Sequence, residues 1–568
     1  MGTDHDIKND IKKFRKRLAA LERERKKGWE GHWRDLAAHF MPRRARFLDA
    51  GERTNEGDER NHLWDDAGIL ARRILSAGMQ TGLTSPARPW FSLTVQDEDL
   101  AQLGPVKAWL HAVYERMVNT FAQSNFYDQV HLLYDELGTF GTGVLIIEED
   151  EDNVLRCRTL TVGEYCLDVN AAGRVDTLYR RVRMSPRQIE EAWPETCPER
   201  VRKMAENDST EWLDVLHAVE PRKAGADRRA DRRDGGARPF RSVYFMLEGR
   251  ADEVLEDSGY YEFPALCPRW NTTASDIYGS SPAMDALGDC RSLQALAKDG
   301  ILALEREVKP PLLAQQSAGL TRVNLNPGAV NLVSSLSGGG TLPTVVPLIN
   351  VRANLAALEQ AKANAKNQIE KMFFNDLFLM LANTDKQMTA REVAERNAEK
   401  MLMLGPVLDR LRSELFQPLI ERVFGIMWRR GDIPAPPPEL AQSGLQIEFI
   451  SILAQAQKQA GLAGINGTVA FAGQVSGMHP EILDKINFDE ALDQVAEMNG
   501  VPPKLLRSDE DVAQIRQQRA EQMAQQQQMA QMAQAAGLAR QGAAAMKDAG
   551  AAAGGLAGGQ EGAGNAGL

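Results

Sequence analysis

The side chains that could do chemistry are scattered rather than grouped. Eight histidines stand at 5, 32, 39, 62, 111, 131, 217 and 479, and no two have the HxH or HxxxH spacing that aims two imidazoles at one metal. Five cysteines, at 157, 166, 197, 267 and 290, are odd in number and form no CxxC pair, so neither a zinc site nor a disulfide framework is expected. Gly138, Gly141 and Gly143 follow a helical pattern, whereas a phosphate-cradling loop precedes its helix. A tight turn into Val144 is the better reading, and no GxxxxGK[ST] motif occurs elsewhere. Paired carboxylates can hold Mg²⁺ for nuclease work, and two clusters qualify by composition: Asp65-Asp66 and Glu148-Glu149-Asp150-Glu151-Asp152. The second ends a strand pattern and enters Asn153, which fits a solvated hairpin tip. Most Trp and Phe residues sit inside apolar patterns, where core packing is the default over base stacking. The residues therefore predict no catalytic group, no metal and no cofactor.

Charge and length set the class. The chain has 568 residues, too many for one core, with 43% hydrophobic and 26% charged residues. The net charge is -11, but from residue 7 to 46 Lys and Arg outnumber Asp and Glu by 14 to 5. The rest is strongly acidic. A protein that grips DNA usually offers phosphate an excess of cations. Most of this chain does the opposite, which suits a passage that DNA slides through without sticking. The run Lys12-Lys13-Phe14-Arg15-Lys16-Arg17 is either a solvated helix face or a contact for DNA or a partner. No apolar stretch reaches 18 residues and the N-terminus lacks an apolar signal core, so no membrane span or secretion signal is expected.

The elements that would position these residues are mostly helices. Helical periodicity is read over 7–48, over 66–76 with Gly78 and Gly82 as the stop, and over 106–121 and 127–140. A short strand is read at 90–95, then further strands at 144–147, 155–160, 165–169 and 177–182, with a hairpin turn at 170–173. Residues 211–270 add strands around a charged loop at 222–238. Beyond Pro282, Leu287, Cys290, Ala297, Ile301, Leu304 and Val308 recur at three- and four-residue steps, with Gln294 in the gap, and Pro310-Pro311 ends the pattern. A second rod over 351–374 carries Leu355, Leu358, Ala365, Ile369 and Met372, with Lys362 in register. Its 24 residues would span roughly 36 Å. A long helical pattern runs over 389–430 behind a Thr389/Glu392 capping box, with a kink expected at Gly405-Pro406 and a stop at Gly431. Several helices are read over 445–511, a Gln/Ala/Met-rich helix over 512–546, and a disordered Gly/Ala tail after it.

Four ordered segments carry a family resemblance. They are Ala77-Gly78-Met79-Gln80-Thr81-Gly82-Leu83-Thr84-Ser85-Pro86 with Pro89-Trp90-Phe91-Ser92-Leu93, then Tyr278-Gly279-Ser280-Ser281-Pro282, then Met388-Thr389-Ala390-Arg391-Glu392-Val393, and Gly405-Pro406-Val407 with Glu414-Leu415-Phe416-Gln417-Pro418-Leu419-Ile420. Together, over roughly residues 10–520, they resemble the portal (head-to-tail connector) family of short-tailed phages. The resemblance implies an α+β, mainly α portal fold with a wing (1–275, its β-rich part 141–270), stem helices (276–309 and 351–374), and a clip between them (310–350). It further implies a tunnel loop (375–388), a long kinked wing helix (389–431), a crown with a C-terminal helix (432–546), and the tail 547–568.

It implies a non-enzymatic homo-oligomeric ring, a dodecamer in the family, at the portal vertex of a virion and assembled in the host cytoplasm. Double-stranded DNA would pass through it. A terminase motor, a tail adaptor, the major capsid protein and scaffolding protein would be its partners. In the tunnel loop, Asn383, Thr384, Asp385 and Lys386 would touch DNA weakly, while Leu377, Phe378, Leu379 and Met380 would narrow or brace it. Another phage structural ring, such as a tail adaptor, and a DNA-processing enzyme are the competing readings.

Overall fold

The computed structural model describes residues 3–42, 63–95, 97, 100, 103–222, 238–247, 253–273, 276–315, 324–333, 345–348, 355–382, 404–440, 445–449, 467–475, 481, 485–498 and 509–555. It is an α+β molecule, mainly α.

The N-terminal helix Thr3–Arg25 continues through a π turn, Lys26–Glu30, into helix Gly31–Phe40. Its period-3.6 stripe of Ile11, Phe14, Leu18 and Leu21 lies on a sheet and packs with Tyr179, Leu216, Val243 and Phe245. That sheet is an antiparallel meander of β4 (Tyr165–Val169), β5 (Val175–Met184), β6 (Leu213–Pro221), β7 (Phe240–Met246) and β8 (Val254–Tyr260). A smaller sheet joins β2 (Val144–Asp150) between β3 (Val154–Leu160) and β9 (Ala265–Leu266). Two short helices, Pro186–Ala192 and Glu199–Glu206, were not read from the sequence; the first starts at a Ser185/Gln188 capping box.

The basic N-terminal run is largely used within the chain. Phe14 is core, Arg15 donates to the Met246 carbonyl, and Arg17 pairs with Asp168 at 3.1 Å and Glu220 at 2.9 Å. Arg25 is buried and donates to the carbonyls of Gly163 and Tyr165.

Helix Ala67–Leu83 does not stop at Gly78 or Gly82, as the sequence suggested, but runs through both. Gly78 is there for packing, because a Cβ would collide with the ring of Phe378. Helices Gly104–Gln123 and Phe126–Phe140 follow. The second ends at Gly141 in the left-handed region, φ 74°, which supplies the expected tight turn into β2.

A larger departure concerns 445–511, read as helices. Leu445–Phe449 is instead a strand, β13, antiparallel to β1 (Phe91–Val95), with Leu93 opposite Ile447. Alternation over five residues whose partner lies some 350 positions away leaves no local trace. The C-terminal helix spans Asp509–Gly555, past the expected end at Met546, in keeping with alanine's high helix propensity. Among the described residues, no helix is long and apolar enough to cross a membrane.

Candidate functional site

The clusters that could have been catalytic are occupied with structure. Asp65 accepts the Ala67 amide and pairs with Lys366 Nζ at 2.8 Å. Glu148 takes Arg180 at 3.0 Å, Asp150 takes Arg156 at 3.3 Å, and Glu149 lies 3.6 Å from Arg429. All five cysteines are free and buried, with burial alone pushing the Cys157 thiol up to about 12. Among the described residues no group of His, Cys, Asp and Glu could hold a metal ion.

The features that remain are two long rods and the segment that follows them. The first rod is helix Pro282–Val308. Ser281 caps it, accepting from the Met284 amide while donating to the Thr139 carbonyl at 2.7 Å. Just before the cap, Gly279 lies against Gly141, backbone to backbone, with no room for a Cβ on either. The Gly279 amide also donates to Thr142 Oγ1 at 2.8 Å. This junction explains the sequence Tyr278-Gly279-Ser280-Ser281-Pro282: it fixes where the rod leaves the body. Gln294, the polar member of the stripe, accepts from the Trp64 amide and donates to the Asp65 carbonyl, tying the rod to the chain before helix Ala67–Leu83.

The second rod is helix Leu355–Met372, and it packs along the first. Gly300 is the closest approach, where a Cβ would stand 2.6 Å from Leu358 Cδ2 and 3.3 Å from Lys362 Nζ. At the body end, the Phe373 ring lies 5.5 Å from that of Phe40, and Phe40 and Cys290 both lie against Gly68. With 3.6 residues per turn, Cys290, Leu293, Ala297, Ile301, Leu304 and Val308 share one face of the first rod. The near half of that stripe is covered, by helices Gly31–Phe40, Ala67–Leu83 and Phe126–Phe140 together with the second rod, and the far half is not. Cys290, Leu293 and Ala297 are 0, 0 and 5% exposed, but Ile301, Leu304 and Val308 are 48, 50 and 69% exposed.

Between the rods, β10 (Leu312–Gln315) is central in a three-stranded sheet, parallel to β11 (Val330–Val333) and antiparallel to β12 (Val345–Pro347). Leu325, Val330 and Leu332 are exposed there. After the second rod the chain turns at Phe374 and forms a short helix, Asn375–Ala382, where the sequence suggested the start of a loop. Of the residues singled out, Leu377 is buried in the main core, Phe378 is half-buried against Gly78, and Leu379 is exposed. Met380 lies in the same short helix. Asn383, Thr384, Asp385 and Lys386 lie outside the described residues, as does the Thr389/Glu392 box. Gly405 and Pro406 occupy the first turn of helix Gly405–Leu411, where proline's missing amide costs nothing. A π turn at Arg412–Phe416 then leads into helix Gln417–Arg430, which stops at Gly431 with φ 80°.

The family described as "Bacteriophage head to tail connecting protein" matches residues 11–506. The chain belongs to this family. Connectors are structural proteins, not enzymes. One similar protein is the portal protein of Salmonella phage epsilon15, 41% identical over 512 residues, covering 89% of this chain and 90% of that protein. Another is the probable portal protein of Bordetella phage BPP-1, 41% identical over 504 residues, covering 88% and 89%. Among solved structures, a chain in the neck of an empty GTA particle aligns at 14% identity with a TM-score of 0.35, covering 71% of this chain and 86% of that one.

Proposed function

We propose that this connector is the subunit of a portal ring at one vertex of a phage capsid, through which DNA enters and leaves and on which the tail docks. The observation that carries the ring is the uncovered half of the first rod. A continuous apolar stripe whose outer half runs on beyond the helices that cover its inner half is incomplete in one copy. A closed ring of identical copies presents the same outward seam to each neighbour and leaves none exposed. Twelve copies is the number carried over from the family resemblance.

In this reading the N-terminal helices and both sheets form the wing, the two rods are the stem, and the sheet β11-β10-β12 is the clip that meets a tail adaptor. Residues 375–388 follow the stem as the segment that faces DNA. Leu377 and Phe378 brace it, Leu379 is its exposed apolar residue, and Asn383, Thr384, Asp385 and Lys386 supply weak polar contacts. Gly405 and Pro406 set the bend of the long wing helix. The long C-terminal helix belongs to the crown. A terminase motor supplies the work of packaging, and capsid and scaffolding proteins surround the wing. Weak contacts suit a conduit, since every phosphate neutralised by a cation adds affinity and hence friction.

Deleting residues 379–386 tests the channel reading while sparing the Leu377–Phe378 anchor. Rings should assemble normally, and particles should package less DNA or lose it. Normal DNA-filled heads from the deletion would refute a role for this segment in gating the channel.

A further inference from the structure

The joint between the second rod and the short helix after it holds three unusual features within five residues. Phe374 has a φ of 55°, a left-handed backbone that bulky residues rarely adopt. Its ring lies 6.2 Å from Trp270, which is itself nearly buried. Asn375 is 2% exposed, and its Oδ1 has no hydrogen-bond partner. Phe378 sits directly over Gly78, in the middle of helix Ala67–Leu83, on ground that a methyl group there would occupy. A glycine inside an unbent helix weakens that helix, so its presence needs a reason. The reason here is the aromatic ring lodged against it.

From this geometry we infer that Gly78 and Phe378 form a socket and knob that position the short helix Asn375–Ala382, with Phe374 as the hinge about which it is set. Strained backbone persists only where the surroundings over-determine it, and the surroundings here are Phe373 under Phe40, Trp270 beside Phe374, and Gly78 under Phe378. If the knob leaves the socket, the hinge is no longer held and the helix swings from its place. Helix Ala67–Leu83 thereby becomes the part of the wing that sets where the channel-facing residues stand. This last step rests on the reading of 375–388 as the segment that faces DNA. Gly78 and Phe378 act through the segment they hold and touch no DNA themselves.

The test uses intact rings and hydrogen exchange at the amides of Asn375–Ala382. Gly78→Ala closes the socket and Phe378→Ala removes the knob; each should speed exchange there at least tenfold while the β4–β8 sheet exchanges as in the wild type. The double variant should recover part of the protection, because the methyl introduced at position 78 enters the space that the ring vacated. Gly288→Ala, on the exposed side of the first rod with nothing near its Cβ, is the control for replacing a helical glycine and should change nothing. Wild-type exchange over Asn375–Ala382 in both single variants would overturn the socket. So would loosening spread equally over the β4–β8 sheet, which would mark a general loss of packing. Fast local exchange combined with normal DNA retention in Gly78→Ala particles would uphold the socket and sink the channel reading beneath it.

Discussion

His217 shows how much of the polar chemistry of the β4–β8 sheet is internal. It is fully buried on β6 and stacked on Tyr244 with ring centroids 3.9 Å apart. Arg180 Nε donates to its Nδ1 at 2.9 Å, so Nδ1 must accept, and Nε2 carries the proton toward Ser242 Oγ at 2.9 Å. Arg180 also reaches Glu148 and Tyr244, linking the β4–β8 sheet to the sheet of β2. Burial, then the charges of Arg180 and Arg158, hold the imidazole well below its usual range. The unfolded chain, with an ordinary histidine near 6.5, therefore binds a proton that the folded chain refuses. Stability contributed by neutral His217 is present above about pH 6.5 and falls below it, by up to about 1.4 kcal/mol per pH unit. His217→Gln should lower the slope of unfolding free energy against pH by about one proton between pH 5 and 6. Denaturant melts at several pH values measure this, and an unchanged slope would refute it. Nothing about His217 was legible in the sequence, where it stood as one of eight unpaired histidines. Its role comes from cross-strand partners 37 and 25 residues away.

At the scale of elements, the first rod was legible because its stripe and its Pro310 stop are local signals. Strands β4 and β5 were legible with the turn between them, since they pair as chain neighbours, whereas β6 to β8 were read only as unplaced strands within 211–270. Gly78 misled because a glycine that ends a helix and one that admits a partner's ring look alike in sequence. The β1–β13 pair was hidden by its separation along the chain. How much of the rod's stripe is covered also escaped the sequence, because it depends on where the second rod begins. That coverage yields a prediction. Leu304→Asp alters a half-exposed side chain and should change the stability of the single chain by less than about 0.5 kcal/mol. In a ring, the same change places a carboxylate where an apolar residue worth about 1.5–3 kcal/mol would be covered, once per interface. Sedimentation should then find monomers or open fragments with wild-type helix content. Rings that persist in the variant would show that this seam lies outside the subunit interface.

The whole molecule combines an acidic body with a basic N-terminal helix whose arginines are mostly engaged by their own chain. Arg17 and Arg25 answer to Asp168, Glu220 and backbone carbonyls, while Lys12, Lys13 and Lys16 of the run are exposed, Lys13 with Asp10 at 3.0 Å. Outside that helix the chain is strongly acidic, within a net charge of -11. Three of the four segments that carry the family resemblance stand at joints of the fold: the contact of Gly78 with Phe378, the Gly141–Gly279 approach that launches the first rod, and the start of helix Gly405–Leu411; the fourth, 388–393, lies outside the described residues. Subunit number was not legible, since it follows from the angle between neighbours and no single chain contains that angle. The account stands on the far end of the first rod being covered by another copy. Negative-stain imaging of the purified full-length protein, with its mass in solution, measures this most directly. Closed rings with a central hole are the predicted result; a compact monomer as the stable species would contradict it.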